Sequence, residues 1–99
     1  MAKHQIDVTE DAKTDLYYYS AFERKIIVQD IRTQLTRQPT IETKNRKNLR
    51  SNPIAAWELR SGKYRIFYEV DETRYKVTIV AIGHKEHNRL FIRGEEVKL

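Results

Sequence analysis

The stretch from Trp57 to Ile82 constrains this chain more than any other, because it reads as three consecutive strands punctuated by turn chemistry. Trp57-Glu58-Leu59-Arg60 alternates apolar and polar residues, Ser61-Gly62 is a two-residue hairpin signal, and the run from Tyr64 alternates again with Tyr64, Ile66, Tyr68 and Val70 on one face. Beyond the polar Asp71-Glu72-Thr73-Arg74 turn, Tyr75 to Ile82 is rich in β-branched residues and apolar almost throughout, as suits a central strand covered on both faces. With Ser61 and Gly62 as the loop, Arg60 falls opposite Lys63, Leu59 opposite Tyr64, Glu58 opposite Arg65 and Trp57 opposite Ile66. The face away from the core then collects Glu58, Arg60, Arg65, Phe67 and Glu69. That grouping is either a cross-strand ion-pair network or the floor of an anion site.

The chain before this meander supplies its cover. Gln5-Ile6-Asp7-Val8 is a short alternating run and reads as a first strand, and Thr9 reads as the N-cap of a helix with Ala12, Leu16 and Tyr19 on its apolar stripe. Tyr17, Tyr18 and Tyr19 cannot all share that stripe, so at least one is expected at the surface. Ser20-Ala21-Phe22-Glu23 fits a capping box, and Phe22, Ile26, Ile27, Ile31 and Leu35 trace the expected buried stripe of a second helix that Pro39 ends. Two helices joined so closely make an antiparallel hairpin able to cover one face of a sheet. After Gly83, either a helical turn from Glu86 to Phe91 or a strand through Leu90, Phe91 and Ile92 is expected, and the tail frays unless Val97 and Leu99 dock. The prediction is an α+β chain in one domain over residues 1–99: strand, helical hairpin, three-stranded antiparallel meander, and a short C-terminal helix or strand.

Composition narrows the function classes. The absence of cysteine excludes disulfides and thiolate metal sites, and no stretch approaches the roughly 20 apolar residues that span a membrane, so a cytosolic protein is expected. The net charge of +5 is uneven: Lys44, Arg46, Lys47, Arg50, Arg60, Lys63 and Arg65 stand against Glu58 alone, while the remainder has 12 basic and 13 acidic residues. Such asymmetry favours an anionic partner, nucleic acid or an acidic protein, over a small neutral substrate. The plain alternative is a solvated basic loop.

The three glycines are isolated, so neither a phosphate-binding loop nor a dinucleotide fingerprint is present. His84-x-x-His87 lacks a convincing third ligand, so no metal and no cofactor are expected; two imidazoles at a strand end suit proton transfer better. One reaction fits without a metal: attack of an RNA 2′-hydroxyl on the adjacent phosphorus, which needs a base, an acid and cations around the phosphorane. Arg60, Arg65 and Lys85 with one histidine answer the last two needs. Glu58 is the only carboxylate expected beside both arginines, but such neighbours depress its pKa and make it a weak base; orienting Arg65 is its other role.

These residues also carry a resemblance. Trp57-Glu58-Leu59-Arg60, Gly62-Lys63-Tyr64-Arg65-Ile66-Phe67-Tyr68-Glu69-Val70-Asp71 and Ile79-Val80-Ala81-Ile82-Gly83-His84-Lys85-Glu86 look like the RelE/ParE superfamily of toxins from type II toxin-antitoxin systems, in the same order from Ile6 to about Phe91. The resemblance implies a RelE-like microbial RNase-type fold, a cognate antitoxin as partner, and, in the RelE branch, cleavage of mRNA in the ribosome. It implies that Arg65 stabilises the phosphate, with Arg60 and Lys85 as further basic positions, and contact with DNA only through the toxin-antitoxin complex. Ala56 and Glu58 stand where RelE has lysines, and Phe91 where it has a tyrosine. His87-Asn88-Arg89-Leu90-Phe91 resembles the H-x-x-L-F ending of the YafQ-like branch, which implies His87 as general acid with His84 in reserve. Lys44, Arg46, Lys47, Arg50, Lys63 and Phe91 are the residues expected to hold RNA or the ribosome. ParE-like toxins that target DNA gyrase are the alternative, and a degenerate toxin that only binds is a second.

Overall fold

The computed structural model describes residues 3–50 and 52–98. Strand β1 (Gln5–Val8) leads into helix α1 (Glu10–Tyr17) and helix α2 (Ala21–Leu35). Strands β2 (Arg46–Asn48), β3 (Trp57–Ser61), β4 (Tyr64–Asp71), β5 (Lys76–Glu86), β6 (Arg89–Ile92) and β7 (Glu95–Val97) follow. Among the described residues they form one sheet of order β2-β3-β4-β5-β6-β7, antiparallel throughout, with β1 added in parallel along the first half of β5.

Both helices start as their caps dictate. The Thr9 hydroxyl accepts from Ala12 N–H at 3.1 Å, and the Ser20 hydroxyl accepts from Glu23 N–H at 3.2 Å while donating to the Glu23 carboxylate at 3.0 Å. Ile27, Ile31 and Leu35 of α2 bury against Leu59, Ile66, Tyr68, Val77, Ile79 and Ile82, which stabilises the fold by about 1.5–3 kcal/mol per large side chain. Phe22 and Ile26 leave the expected stripe: Phe22 is 74% exposed and Ile26 36%. At about 100° per residue, Ile26 lies a quarter-turn from Ile27 and Phe22 further round, so neither can face the sheet with the other three. Of the three tyrosines, Tyr19 is buried, while Tyr17 and Tyr18 are exposed.

Two details of register position the site. The β3–β4 loop is Gly62-Lys63, not Ser61-Gly62, with Gly62 at φ 57°. Ser61 therefore pairs with Tyr64, Arg60 with Arg65, Leu59 with Ile66, Glu58 with Phe67 and Trp57 with Tyr68. Each partner moves by two residues along β4, so every side chain keeps its expected face. Then β5 carries a bulge: Phe67 pairs with Ala81 and Tyr68 with Ile79, leaving Val80 as the extra residue. Before the bulge Val77 and Ile79 face the helices; after it Ile82 and His84 do.

One amide of β5 between its two edge partners is satisfied from α1. β1 pairs only as far as Ile79 and β6 only from His84, and the buried Asp15 carboxylate accepts from Ile82 N–H at 3.0 Å. Its other oxygen lies 3.0 Å from Arg93 Nε, an ion pair without hydrogen-bond alignment. Burial raises the Asp15 pKa against the pull of both partners.

The second face of the sheet is not bare. Phe67, Ala81 and Leu90 pack there with Ala55, Leu49, Ile54 and Val97, so the segment after β2 folds over part of it. Val97 docks on this face, so the tail is held there as β7 and does not fray; Leu99 lies outside the described residues. Among the described residues after β5 there is no helical turn, because His87 and Asn88, at φ 50° and 67°, make a two-residue hairpin loop and β6 returns as a strand. Among the described residues no helix is long and apolar enough to cross a membrane.

Candidate nucleic-acid interface

The face turned away from the helices presents one row of charge across four strands. Lys47 of β2 pairs with Glu58 of β3, Arg60 of β3 pairs directly with Arg65 of β4, and Arg65 pairs with Gly83 of β5. Lys85 follows on the same face two residues after Gly83. Arg60 Nε holds the Glu58 carboxylate at 3.0 Å, and Glu58 is only 6% exposed. Arg65 is half-buried; one terminal nitrogen donates to the carbonyls of Gly62 and Tyr64 at 2.8 and 2.9 Å, and its Nε is buried with no partner. Burial lowers the Arg65 pKa, with Arg60 adding to the shift and Glu58 opposing it. Such a guanidinium, partly exposed and next to a second one, is suited to bind an anion.

Gly83 is needed where it stands. A Cβ there would strike the Phe91 carbonyl of the crossing β6 strand and come within 2.9 Å of Ile92 Cγ1. Beside Lys85, a cavity of about 340 Å³ is lined by Asn88, Arg89, Glu96 and Lys98 among others. Sequence reasoning did not single out Asn88 or Lys98; the His87-Asn88 dipeptide, suited to a left-handed loop, was the signal that would have paired Arg89 with Glu86.

His84 is not on this face. It is buried on the helix side, with Nδ1 2.7 Å from the Tyr19 hydroxyl, Nε2 2.7 Å from the Glu86 carboxylate, and its ring stacked on Phe91 at 5.7 Å between centroids. Both ring nitrogens are thus occupied, and burial drives the Tyr19 hydroxyl pKa well above its ordinary value. The proposed reserve acid and Phe91 therefore belong to the structural side of the sheet. His87 sits exposed at the β5–β6 loop, with no hydrogen bond or ion pair among the described residues.

The basic segment divides as well. Arg46 was expected to hold RNA, yet it is 6% exposed and clasps the core: Nε donates to the Ile41 carbonyl at 2.8 Å, and a terminal nitrogen donates to the Gln34 side-chain and backbone oxygens at 2.7 and 3.0 Å. Pairing with Leu59 turns it toward the helices. Lys44, Arg50 and Lys63 are exposed, and Lys47 is half-buried on the charged face.

Residues 6–89 match the family model described as the ParE toxin of type II toxin-antitoxin system, parDE. Among solved structures, the chain is similar to one in the RelBE2 toxin-antitoxin complex from Mycobacterium tuberculosis, at 25% identity and TM-score 0.75, over 86% of this chain and 94% of that one. It is also similar to one in the intact RelBE toxin-antitoxin complex of E. coli, at 26% identity and TM-score 0.65, over 85% of this chain and 99% of that one. No curated protein matches significantly. The two-helix, mainly antiparallel fold and a family match running from β1 into β6 agree: this chain belongs to the ParE toxin family, within the RelE/ParE superfamily of type II toxin-antitoxin toxins.

Proposed function

We propose that this toxin cleaves mRNA on the ribosome, with the charged sheet face holding the RNA backbone. The observation that carries this reading is the cross-strand pair Arg60 and Arg65 on the same face as Lys47 and Lys85. In the reaction the 2′-oxygen bonds to phosphorus, the bond to the 5′-oxygen breaks, and a cyclic phosphate remains. The 2′-hydroxyl proton must be removed and one delivered to the departing oxygen.

Arg65 and Lys85 stabilise the charge that builds on the phosphorane, and His87, exposed just beyond Lys85, donates the proton. Glu58 is tied to Arg60 by an ion pair at 3.0 Å and is not assigned the role of base. The chain's contribution is therefore chiefly charge stabilisation and positioning. A cognate antitoxin covers the exposed Tyr17, Tyr18, Phe22 and Ile26 of the helical hairpin or the charged face itself.

A gyrase-directed action is the second reading, favoured by the match to a ParE model and by the retreat of His84 behind the sheet. Induction in cells followed by mapping of transcript ends and plasmid topology separates the two. New ends within codons are the expected outcome; altered supercoiling with intact transcripts would replace this reading with the gyrase one.

A further inference from the structure

We propose that Glu58 is a built-in counter-anion, a positioning residue that holds Arg60 back against the sheet and sets how strongly the charged face binds a phosphate backbone. The inference rests on the reading of that face as an RNA-backbone surface and adds its regulation. Glu58 is nearly buried, yet it stands at the centre of a cationic row: Lys47 opposite on β2, Arg60 at 3.0 Å on its own strand, and Arg65 directly across from Arg60. Two guanidiniums facing each other across strands about 4.8 Å apart repel, and the carboxylate relieves that repulsion. The Arg60 Nε edge that would grip a phosphate is thereby turned inward. A phosphate must draw Arg60 off Glu58 before it gains both guanidiniums, so the free protein carries a weaker anion site than its basic residues imply.

The test uses the purified full chain, a labelled single-stranded RNA blocked at its 2′-hydroxyls, and heparin chromatography, with melting curves to confirm folding. Glu58→Gln removes the charge at the same size and is expected to tighten RNA binding about 3- to 10-fold at fixed salt and to steepen the salt dependence by about one counterion. Glu58→Asp, which keeps the charge, stays near the parent. The gain disappears in an Arg60→Gln background, and Glu95→Gln, the same charge change on β7, gives less than about twofold. If Gln at this position fails to fold, Glu58→Thr, suited to a strand, carries the same expectation.

An equal gain from Glu95→Gln, or a gain that survives without Arg60, overturns the assignment. So does unchanged RNA affinity in a folded Glu58→Gln protein, and the RNA reading then stands without it. Should the parent bind no RNA while Glu58→Gln elutes later from heparin in an Arg60-dependent way, the assignment holds and the RNA reading falls.

Discussion

His84 and Lys85 are neighbours in sequence and lie in different worlds. The imidazole is closed in between Tyr19, Glu86 and Phe91 on the helix side, while the ammonium stands on the charged face with Arg60 and Arg65. One residue decides which is which. Counting alternately from Val77 and Ile79 would send Lys85 inward and His84 outward; the extra Val80 reverses the order. The contrast teaches that a histidine at a strand end is catalytic only if the strand's parity permits. In this chain parity gives the open face to cations and the imidazole to the core.

The largest effect expected from this contrast concerns activity. Arg65→Ala is expected to lower single-turnover cleavage of ribosome-bound mRNA by about 10²- to 10³-fold with little change in melting temperature. His84→Ala is expected to do the opposite, costing about 1–3 kcal/mol of stability by leaving the Tyr19 hydroxyl unsatisfied while the folded fraction stays active. A stable but inactive His84→Ala protein would break the comparison.

A second, smaller effect separates the basic residues. Arg46→Ala is expected to cost about 2–3 kcal/mol in chemical denaturation, because the Gln34 and Ile41 acceptors lose their donor. Replacing Lys44, Lys47 and Arg50 together should leave stability nearly unchanged and flatten the salt dependence of ribosome binding. An unaltered salt slope would make them solvated surface only.

The smallest effect is a pH dependence on the helix side. The Tyr64 hydroxyl, donating to Glu23 at 2.8 Å, together with Ser20, holds the Glu23 carboxyl below its ordinary value of 4.5. A depressed acid stabilises the fold above its unfolded pKa, and that contribution is lost as pH falls through the folded value. The melting-temperature gap between the parent and Tyr64→Phe should therefore narrow below pH 4.5. A constant gap would show that the hydroxyl acts without the carboxylate.

Much of the fold was legible because its signals are local. Strand alternation placed Arg60 and Arg65 on one face even with the hairpin loop misplaced by one, since partners then slip by two and keep their sides. Thr9 and Ser20 marked both helix starts through hydrogen bonds within three residues. The site was less legible. Phe22 carried an apolar label but the wrong phase, Arg46 met its acceptor twelve positions away in α2, and His84 met Tyr19 across 65 residues. The phase of Phe22 follows from helix spacing, but the partners of Arg46 and His84 cannot be inferred from spacing along one element.

The sequence by itself determined β1, both helices and the β3–β5 meander, though not the short strands β2 and β7, and it determined that the positive charge concentrates between Lys44 and Arg65 and that two arginines share a sheet face. The tertiary structure alone decided, through the β5 bulge, that Lys85 rather than His84 faces the arginines, that His84 and Arg46 are structural, and that Glu58 is buried. The reason is physical. Periodicity is fixed by bonds between near neighbours, whereas the β5 bulge, the Asp15 cap on Ile82 and the clasp of Arg46 arise only where distant segments meet and every buried polar group must find its partner.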